Sequence, residues 1–453
     1  MASIAAVAVT AILGVAGSSA PPSSAPTAAA TLAATPTSIP PLTANADPQM
    51  PLADALAELE RQNLTLAQAR ARADEAAALV GQARAALLPS LAAQGSYVRN
   101  SDEFRLGPLQ LGPIVIDRTV QPKEAFSVTG SVRVPLAVPT AWYDAEAARS
   151  GARAAEASAD AVRLQLRAGF AQAAHAAAAA DEVVFASERA VESAAELARS
   201  ADRRVRAGTA APLDVLRART EQVRRESDLA RARADAERGR LALGILLGRD
   251  GPVRVQVPDA PGVEARDDAP ALLEEALARR PDLAAQRAQV DAAHAAARSS
   301  RARLLPQLSA SASAFAQDVP FPTGQREGWR ASVDLTWAIF DGGFREARQR
   351  QAAAQGVSAR AAAEAQRLAV VQEVSDGARD LAVARERLRL AETQRTLAGD
   401  AAASARRSFD AGIASSLDVI DANDRLYQAD VGLAEARARL AQARVGLDRA
   451  LGR

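Results

Sequence analysis

Two stretches of this 453-residue chain, AGTAAPLDVLRA at 207–218 and AGIASSLDVIDA at 411–422, are near copies, each set between long helical patterns. The copying extends outwards. Laid on 409–452, residues 205–248 match at roughly a third of positions. LLPSL at 87–91 is answered by LLPQL at 304–308. A chain written twice must meet each structural demand twice, so an element assigned in one half has to exist in the other. The shared plan is a helix, two strands, a long helix, an Ala-Gly turn and a second helix.

The helices dominate. From Trp142 to Val205 there is no proline, and only Gly151 and Gly169 interrupt the pattern. Such a run of roughly 60 residues rises about 90 Å, far more than a bilayer is thick. A second helix reaches about Leu247, and LLGRDGP closes the half. In the second half a helix runs from about Phe344 to Phe409, and the last one ends at Leu451-Gly452. Residues 52–88 are helix-like as well. Alanine and arginine dominate and aromatics make up only 3%. These residues form helix readily and let helices approach closely.

Between the helices the period changes to two, which is the mark of a strand. In AFSVTGSVRV (125–134), Phe126, Val128, Val132 and Val134 alternate with Ser127, Thr129, Ser131 and Arg133. SASASAF (309–315) alternates strictly. In ASVDLTWAIF (331–340), Val333, Leu335, Trp337 and Ile339 alternate with Ser332, Asp334 and Thr336. Strands of about ten residues, apolar on one face and small-polar on the other, suit a membrane-spanning β-barrel. Two per half make four, and four cannot close around an interior. In lipid the open edges would leave backbone groups unpaired. The sheet therefore closes with other copies, three giving twelve strands, or lies in a soluble domain under a covering layer. The first option makes Arg133, Ser332, Asp334 and Thr336 lumen-facing. The Pro/Gly-rich segments 99–124 and 318–328 become surface loops, with Trp142 and Trp337 as interfacial aromatics at the strand ends.

Composition narrows the chemistry. The net charge of +1 comes from interspersed acids and bases, which gives no reason to expect nucleic acid. Cysteine is absent, which excludes disulfides, thiolate metal sites and a lipid-bearing cysteine. His175 and His294 each stand alone on Ala-rich helices and read as packing or lumen residues, not metal ligands. No phosphate loop or nucleophile elbow is present, so no enzyme, metal or cofactor is expected. Residues 1–20 read as a signal peptide, with Ala20 or Ala46 as possible cleavage sites. Residues 21–50 are a Pro/Ala/Ser/Thr linker, 51–250 the first repeat, 251–269 a linker and 270–453 the second repeat.

The order and spacing of several segments resemble the TolC-type outer-membrane efflux proteins. These are RRPDLAAQRAQVDAAHAAARSSRARLLPQL (279–308), WAIFDGGFREARQRQA (337–352) and SFDAGIASSLDVIDANDRLYQADVGLAEARARL (408–440), with LLPSL and LLPQL. The resemblance covers about 52–452. It implies a mainly helical fold with membrane β-structure: a homotrimer whose twelve-stranded barrel continues into a twelve-helix periplasmic tunnel. Such a protein sits in the outer membrane of a Gram-negative cell. It is a passive exit duct of a tripartite efflux pump or type I secretion system, working with a periplasmic adaptor and an inner-membrane transporter of RND, ABC or MFS type. The alternative is a soluble periplasmic adaptor or scaffold built on helical hairpins. Substrate and transporter class are not encoded legibly.

By position, the resemblance makes Gly208 and Gly412 the hairpin-tip glycines that meet the adaptor, and Asp214, Asp418 and Asp421 candidates for a gating carboxylate ring. Threefold symmetry would crowd such carboxylates and favour cations, and opening would require the hairpins to splay. Ser415-x-x-Asp418 is equally a capping box, and Asp214 equally a first-turn acid. Asp421 lies beyond the first turn and has Arg217 at its matching position. Family members latch the closed state with an arginine and a tyrosine near the second tip. Here Ala414 and Phe409 stand there, leaving Arg203, Arg206 and Arg425 as substitutes.

Overall fold

The computed structural model describes residues 49–111, 114–258, 269–318 and 325–453. The expected signal peptide, nearly all of the 21–50 linker and part of the 251–269 linker lie outside them. Two compact units result. One gathers Gly81–Glu146 with Ala295–Gln351, the other the remaining described residues.

The helical unit holds most of the chain. Helices α1 (Leu52–Gln62) and α2 (Leu64–Ala85) replace the single helix expected over 52–88. The break is at Asn63, whose backbone is extended. Its side-chain oxygen accepts from the backbone N–H groups of Thr65 and Leu66, capping α2, while its amide donates to Leu246 O at 3.0 Å. Helix α3 (Pro139–Arg206) runs 68 residues without interruption, about 100 Å of rise. Helix α4 (Pro212–Leu246) returns from it. The second half repeats the pattern with α5 (Ala269–Arg279), α6 (Pro281–Ala302), α7 (Phe344–Asp410) and α8 (Ser416–Ala450). The Leu-Leu-Pro motifs stop α2 and α6 in the same way. Leu87 and Leu88 N–H donate to Arg84 and Ala85 O, and Leu304 and Leu305 N–H to Arg301 and Ala302 O.

Alanine fills the buried faces, as the low aromatic content requires. Ala174, Ala177 and Phe170 of α3 pack with Ala55, Leu59, Leu243 and Leu247. The equivalent cluster of the second half joins Ala276, Leu283, Val370, Val374, Ala450 and Leu451. Each half also closes with a two-pronged ion pair: Arg249 Nε and Nη2 on Glu58 at 2.7 Å each, and Arg453 on Glu275 at 2.8 and 2.5 Å. Strand β1 (Gln49–Pro51) pairs in parallel with a strand inside the expected 251–269 linker, Arg254–Gln256. The described part of that linker therefore carries a strand.

The sheet unit contains β2 (Ser90–Arg99), a hairpin of β3 (Phe104–Leu111) and β4 (Ile114–Gln121), and β5 (Glu124–Ala137). Counting the linker strand Arg254–Gln256 as β6, the second half adds β7 (Gln307–Gln317) and β8 (Glu327–Thr336). Four strands form one antiparallel sheet in the order β2-β5-β7-β8. Two expectations change here. The segment 99–124, read as a loop, carries the β3–β4 hairpin. The strand expected over 331–340 runs instead from Glu327 to Thr336, because Gly342 and Gly343, both at positive φ, turn the chain into α7. Trp337 and Ile339 therefore fall beyond it, and Trp337 Nε1 donates to Leu304 O at 3.1 Å.

Candidate functional site: the sheet faces and the hairpin tips

Register fixes the faces of the sheet, since directly paired residues share a side. Arg133 opposes Ser311, and Ser311 opposes Ser332. Asp334 opposes Ser309, and Thr336 opposes Gln307. Arg133, Ser332, Asp334 and Thr336 thus stand on one polar face. Within it the Ser332 hydroxyl donates to Asp334 at 2.9 Å and lies 2.9 Å from Ser311 Oγ. One aromatic interrupts this face: Phe315, opposite Gly328 and Thr129. Its ring lies where a Gly328 side chain would be, so a Cβ there would come within 2.7 Å of Cζ. An aromatic covering a strand glycine in this way pins register.

The opposite face carries Leu91, Tyr97, Phe126, Val333, Leu335 and Trp329, all exposed, Trp329 at 80%. An apolar sheet face this exposed is not a water-facing surface. Among the described residues, both outer strands, β2 and β8, also have an unpaired edge.

At the hairpin tips the two Ala-Gly turns use the same backbone device. Gly208 and Gly412 sit at φ +71° and +81°, and their N–H groups donate to Val205 and Phe409 O. Side-chain-bearing residues avoid this left-handed region, so glycine is the natural choice. The helices that follow differ. Helix α4 starts with Pro212 behind Ala211, which offers no side-chain cap. Helix α8 starts with a full capping box. Ser415 Oγ accepts from Asp418 N–H at 3.3 Å, and Asp418 Oδ2 accepts from Ser415 N–H at 2.8 Å. The Ser415 hydroxyl and backbone N–H hold the Asp418 carboxyl below the ordinary carboxylate range. Asp214 is half-buried and accepts from Ser416 Oγ of the other hairpin at 2.7 Å. Asp421 is exposed and pairs with Arg425 one turn on, at 2.9 Å. The three aspartates therefore have three distinct environments: a cross-hairpin acceptor, a cap, and a surface ion pair.

Of the arginines flanking the tips, Arg204 reaches across to Phe409 and Asp410 of the other hairpin, in place of the expected Arg203, Arg206 or Arg425. Its guanidinium lies 4.4 Å from the centre of the Phe409 ring and donates to Asp410 O at 3.2 Å. Arg206 turns back to Asp202 in its own helix, and Arg203 is exposed. A sequence signal for this existed. Leu197 and Ala201 are buried, and Arg204 continues their face three residues on, whereas Arg203 and Arg206 lie off it. Beneath the tips, Leu197, Ala198, Ala201, Ala218, Phe409 and Val419, from all four long helices, form one buried cluster.

Further along, Arg225 of α4 is 3% exposed. It pairs with Asp424 of α8, with Glu221 at 2.7 Å and Asp228 at 3.5 Å, and lies 4.7 Å from the Tyr427 ring centre. Burial alone would lower its pKa, but the carboxylates outweigh this and raise it. His175 is half-buried, and burial lowers its pKa. His294 Nε2 accepts from Arg360 Nε at 3.1 Å. Among the described residues no cluster of His, Asp or Glu is arranged to hold a metal ion.

A two-faced sheet of membrane length and doubled helical hairpins in one chain define an outer-membrane channel fold. The solved open state of the MtrE outer membrane channel of Neisseria gonorrhoeae shares it, with a TM-score of 0.73 at 22% identity over 88% of each chain. The chain belongs to the outer membrane efflux protein family, which it matches over residues 55–249 and 272–453. It is 30% identical over 261 residues to the cobalt-zinc-cadmium resistance protein CzcC of Cupriavidus metallidurans, 57% of this chain and 61% of that one. It is 29% identical over 262 residues to the outer membrane protein OprJ of Pseudomonas aeruginosa, 55% of this chain and 53% of that one. The alignments thus span between half and two thirds of these relatives. A family match over both repeats sets aside the soluble adaptor reading.

Proposed function

We propose that three copies of this chain form a passive exit duct in the outer membrane. The sheet would close as a twelve-stranded barrel through β8 of one copy and β2 of the next. The paired helices would form a conduit through the periplasm. The observation that carries this is the four-stranded sheet, with an apolar face exposed and two edges open: one copy cannot satisfy it in lipid, and three can. Arg133, Ser332, Asp334 and Thr336 then line the lumen. Gly208 and Gly412 present the tips to a periplasmic adaptor, which couples the duct to an inner-membrane transporter.

At the aperture, Asp421 is the best gating carboxylate, since Asp418 is occupied as a cap and Asp214 as a cross-hairpin acceptor. The name of the Cupriavidus relative makes cobalt, zinc and cadmium the first cargoes to test. The deciding experiment is the native mass of protein extracted from the outer membrane in detergent. A trimer that conducts in a planar bilayer supports the duct, and a soluble monomer sinks it. In the conducting trimer, Asp421→Ala should lower the preference for cations, and an unchanged selectivity would remove Asp421 from the gate.

A further inference from the structure

On the polar face of the four-stranded sheet, register sets the residues of β5, β7 and β8 into rows. Ser131, Ser313 and Arg330 make one row, and Arg133, Ser311 and Ser332 make the next. Together they are a block of polar side chains with arginine at two opposite corners and serine everywhere else. Strands lie about 5 Å apart and alternate residues about 7 Å apart, so the two arginine Cα atoms are separated by roughly 12 Å. Two arginine side chains extending towards each other can close that gap on one small oxyanion lying over Ser311 and Ser313.

The donors of this block are available. Arg133 and Arg330 are exposed, and among the described residues neither pairs with a carboxylate. The hydroxyls of Ser131 and Ser313 likewise make no hydrogen bond to a described residue. The acid on this face is Asp334, one row beyond Ser332, and it is already served. Ser332 donates to it at 2.9 Å and Ser311 at 3.5 Å. Strands β2 and β7 add no charge to the face. Two arginines against one aspartate leave one positive charge per copy, hence three in a trimer. A guanidinium stays charged and presents paired N–H donors that match phosphate and carboxylate oxygens.

We propose that Arg133 and Arg330, with the serines between them, form an oxyanion-binding patch in the barrel wall, and that three such patches make the barrel section of the duct prefer anions. This rests on the duct reading above and sets a basic zone in series with the acidic one at the tips. The reach of the belt follows from the bore. Twelve strands about 4.8 Å apart and tilted about 40° enclose a radius of roughly 12 Å. The Debye length is about 30 Å at 0.01 M salt and about 3 Å at 1 M. The field of the belt therefore fills the bore in dilute salt and is confined to the wall in concentrated salt.

Reversal potentials in planar bilayers under a potassium chloride gradient give the potassium-to-chloride permeability ratio. Arg133→Gln combined with Arg330→Gln should raise that ratio about threefold near 0.01 M salt and by less than about 1.2-fold near 1 M. Lysine at both positions, which retains the charge, should restore it. Millimolar inorganic phosphate, added in dilute salt, should occupy the wild-type patch and move the ratio towards that of the glutamine variant. It should move the lysine variant less, since an ammonium lacks the paired donors, and the glutamine variant hardly at all. An unchanged ratio in the glutamine variant at low salt, or a phosphate effect as large there as in wild type, overturns the patch alone. If the glutamine variant yields no trimer, wild type and the lysine variant decide. A larger phosphate effect in wild type supports the patch, and equal or absent effects overturn it. Absence of any conducting trimer, wild type included, overturns the duct reading and this inference with it.

Discussion

The two halves of the molecule agree at one end of their helices and disagree at the other. Near the ends of α4 and α8, Glu58–Arg249 and Glu275–Arg453 repeat the same two-pronged pair. Asn63 and Arg280, standing at the equivalent helix breaks, each donate to the last carbonyl of the returning helix, Leu246 O and Ala450 O. At the tips the sequences are more alike, yet the chemistry differs. Tip one has proline and no side-chain cap, whereas tip two has a capping box followed by Asp421 where tip one has Arg217. Duplication has kept the joints interchangeable and let the tips specialise. Local sequence identity is therefore a poor guide to which parts do the same job.

Substitutions at matched positions can break or sharpen this contrast. The largest difference should come from Asp424→Ala, which removes one partner of buried Arg225 and should cost about 3 kcal/mol. Thr220→Ala, at the matching place in the first half, should cost less than about 0.5 kcal/mol. Denaturant unfolding of the two variants measures the gap, and equal losses would show that the clamp is not specific to α8. The joints should behave as a pair: Glu58→Ala, more buried, should cost about 2 kcal/mol and Glu275→Ala about 1 kcal/mol. A tenfold disparity in those free energies would mean that the symmetry is only geometric. At the tips, Ser415→Ala should cost about 1 kcal/mol, while Ala211→Ser should gain about 0.5 kcal/mol by giving α4 the cap it lacks.

The smallest effect is one of pH. The Asp418 pKa is depressed in the folded chain, so its capping contribution is complete above the ordinary carboxylate pKa and is lost as pH falls through the lowered value. The protection of the amides at residues 415–419, corrected for their intrinsic exchange rates, should fall as pH drops below the ordinary carboxylate range. Asp418→Asn should remove that step.

Most of the architecture was legible because it depends on period. Proline-free Ala/Arg runs set the long helices to within a few residues, and strict alternation set the strand faces from Ser127 to Arg133 and from Ser332 to Asp334. What escaped depended on contacts with distant segments. The break at Asn63 sits in an unbroken helical pattern and is fixed by Leu246, far along the chain. The β3–β4 hairpin was hidden because glycine and proline at 107–108 and 112–113 read as loop punctuation. Arg204 is legible only by helical face: it continues the row of Leu197 and Ala201, from which Arg203 and Arg206 depart. The tip aspartates could be named from sequence but not ranked, since capping, cross-hairpin bonding and surface pairing use the same carboxylate.

The pairing of β5 with β7 has a consequence for the order of events in the cell. Ser127 opposes Gln317, and the whole of α3, α4, α5 and α6 lies between them in the chain. Helical hairpins need only local closure and form quickly, whereas strands so far apart meet late. During stepwise emergence from an export channel, the first helical hairpin can be complete before the central ladder of the sheet has its second strand. The sheet is thus completed only after the first helical hairpin, once β7 and β8 have emerged, and its apolar face is kept from assembling until then.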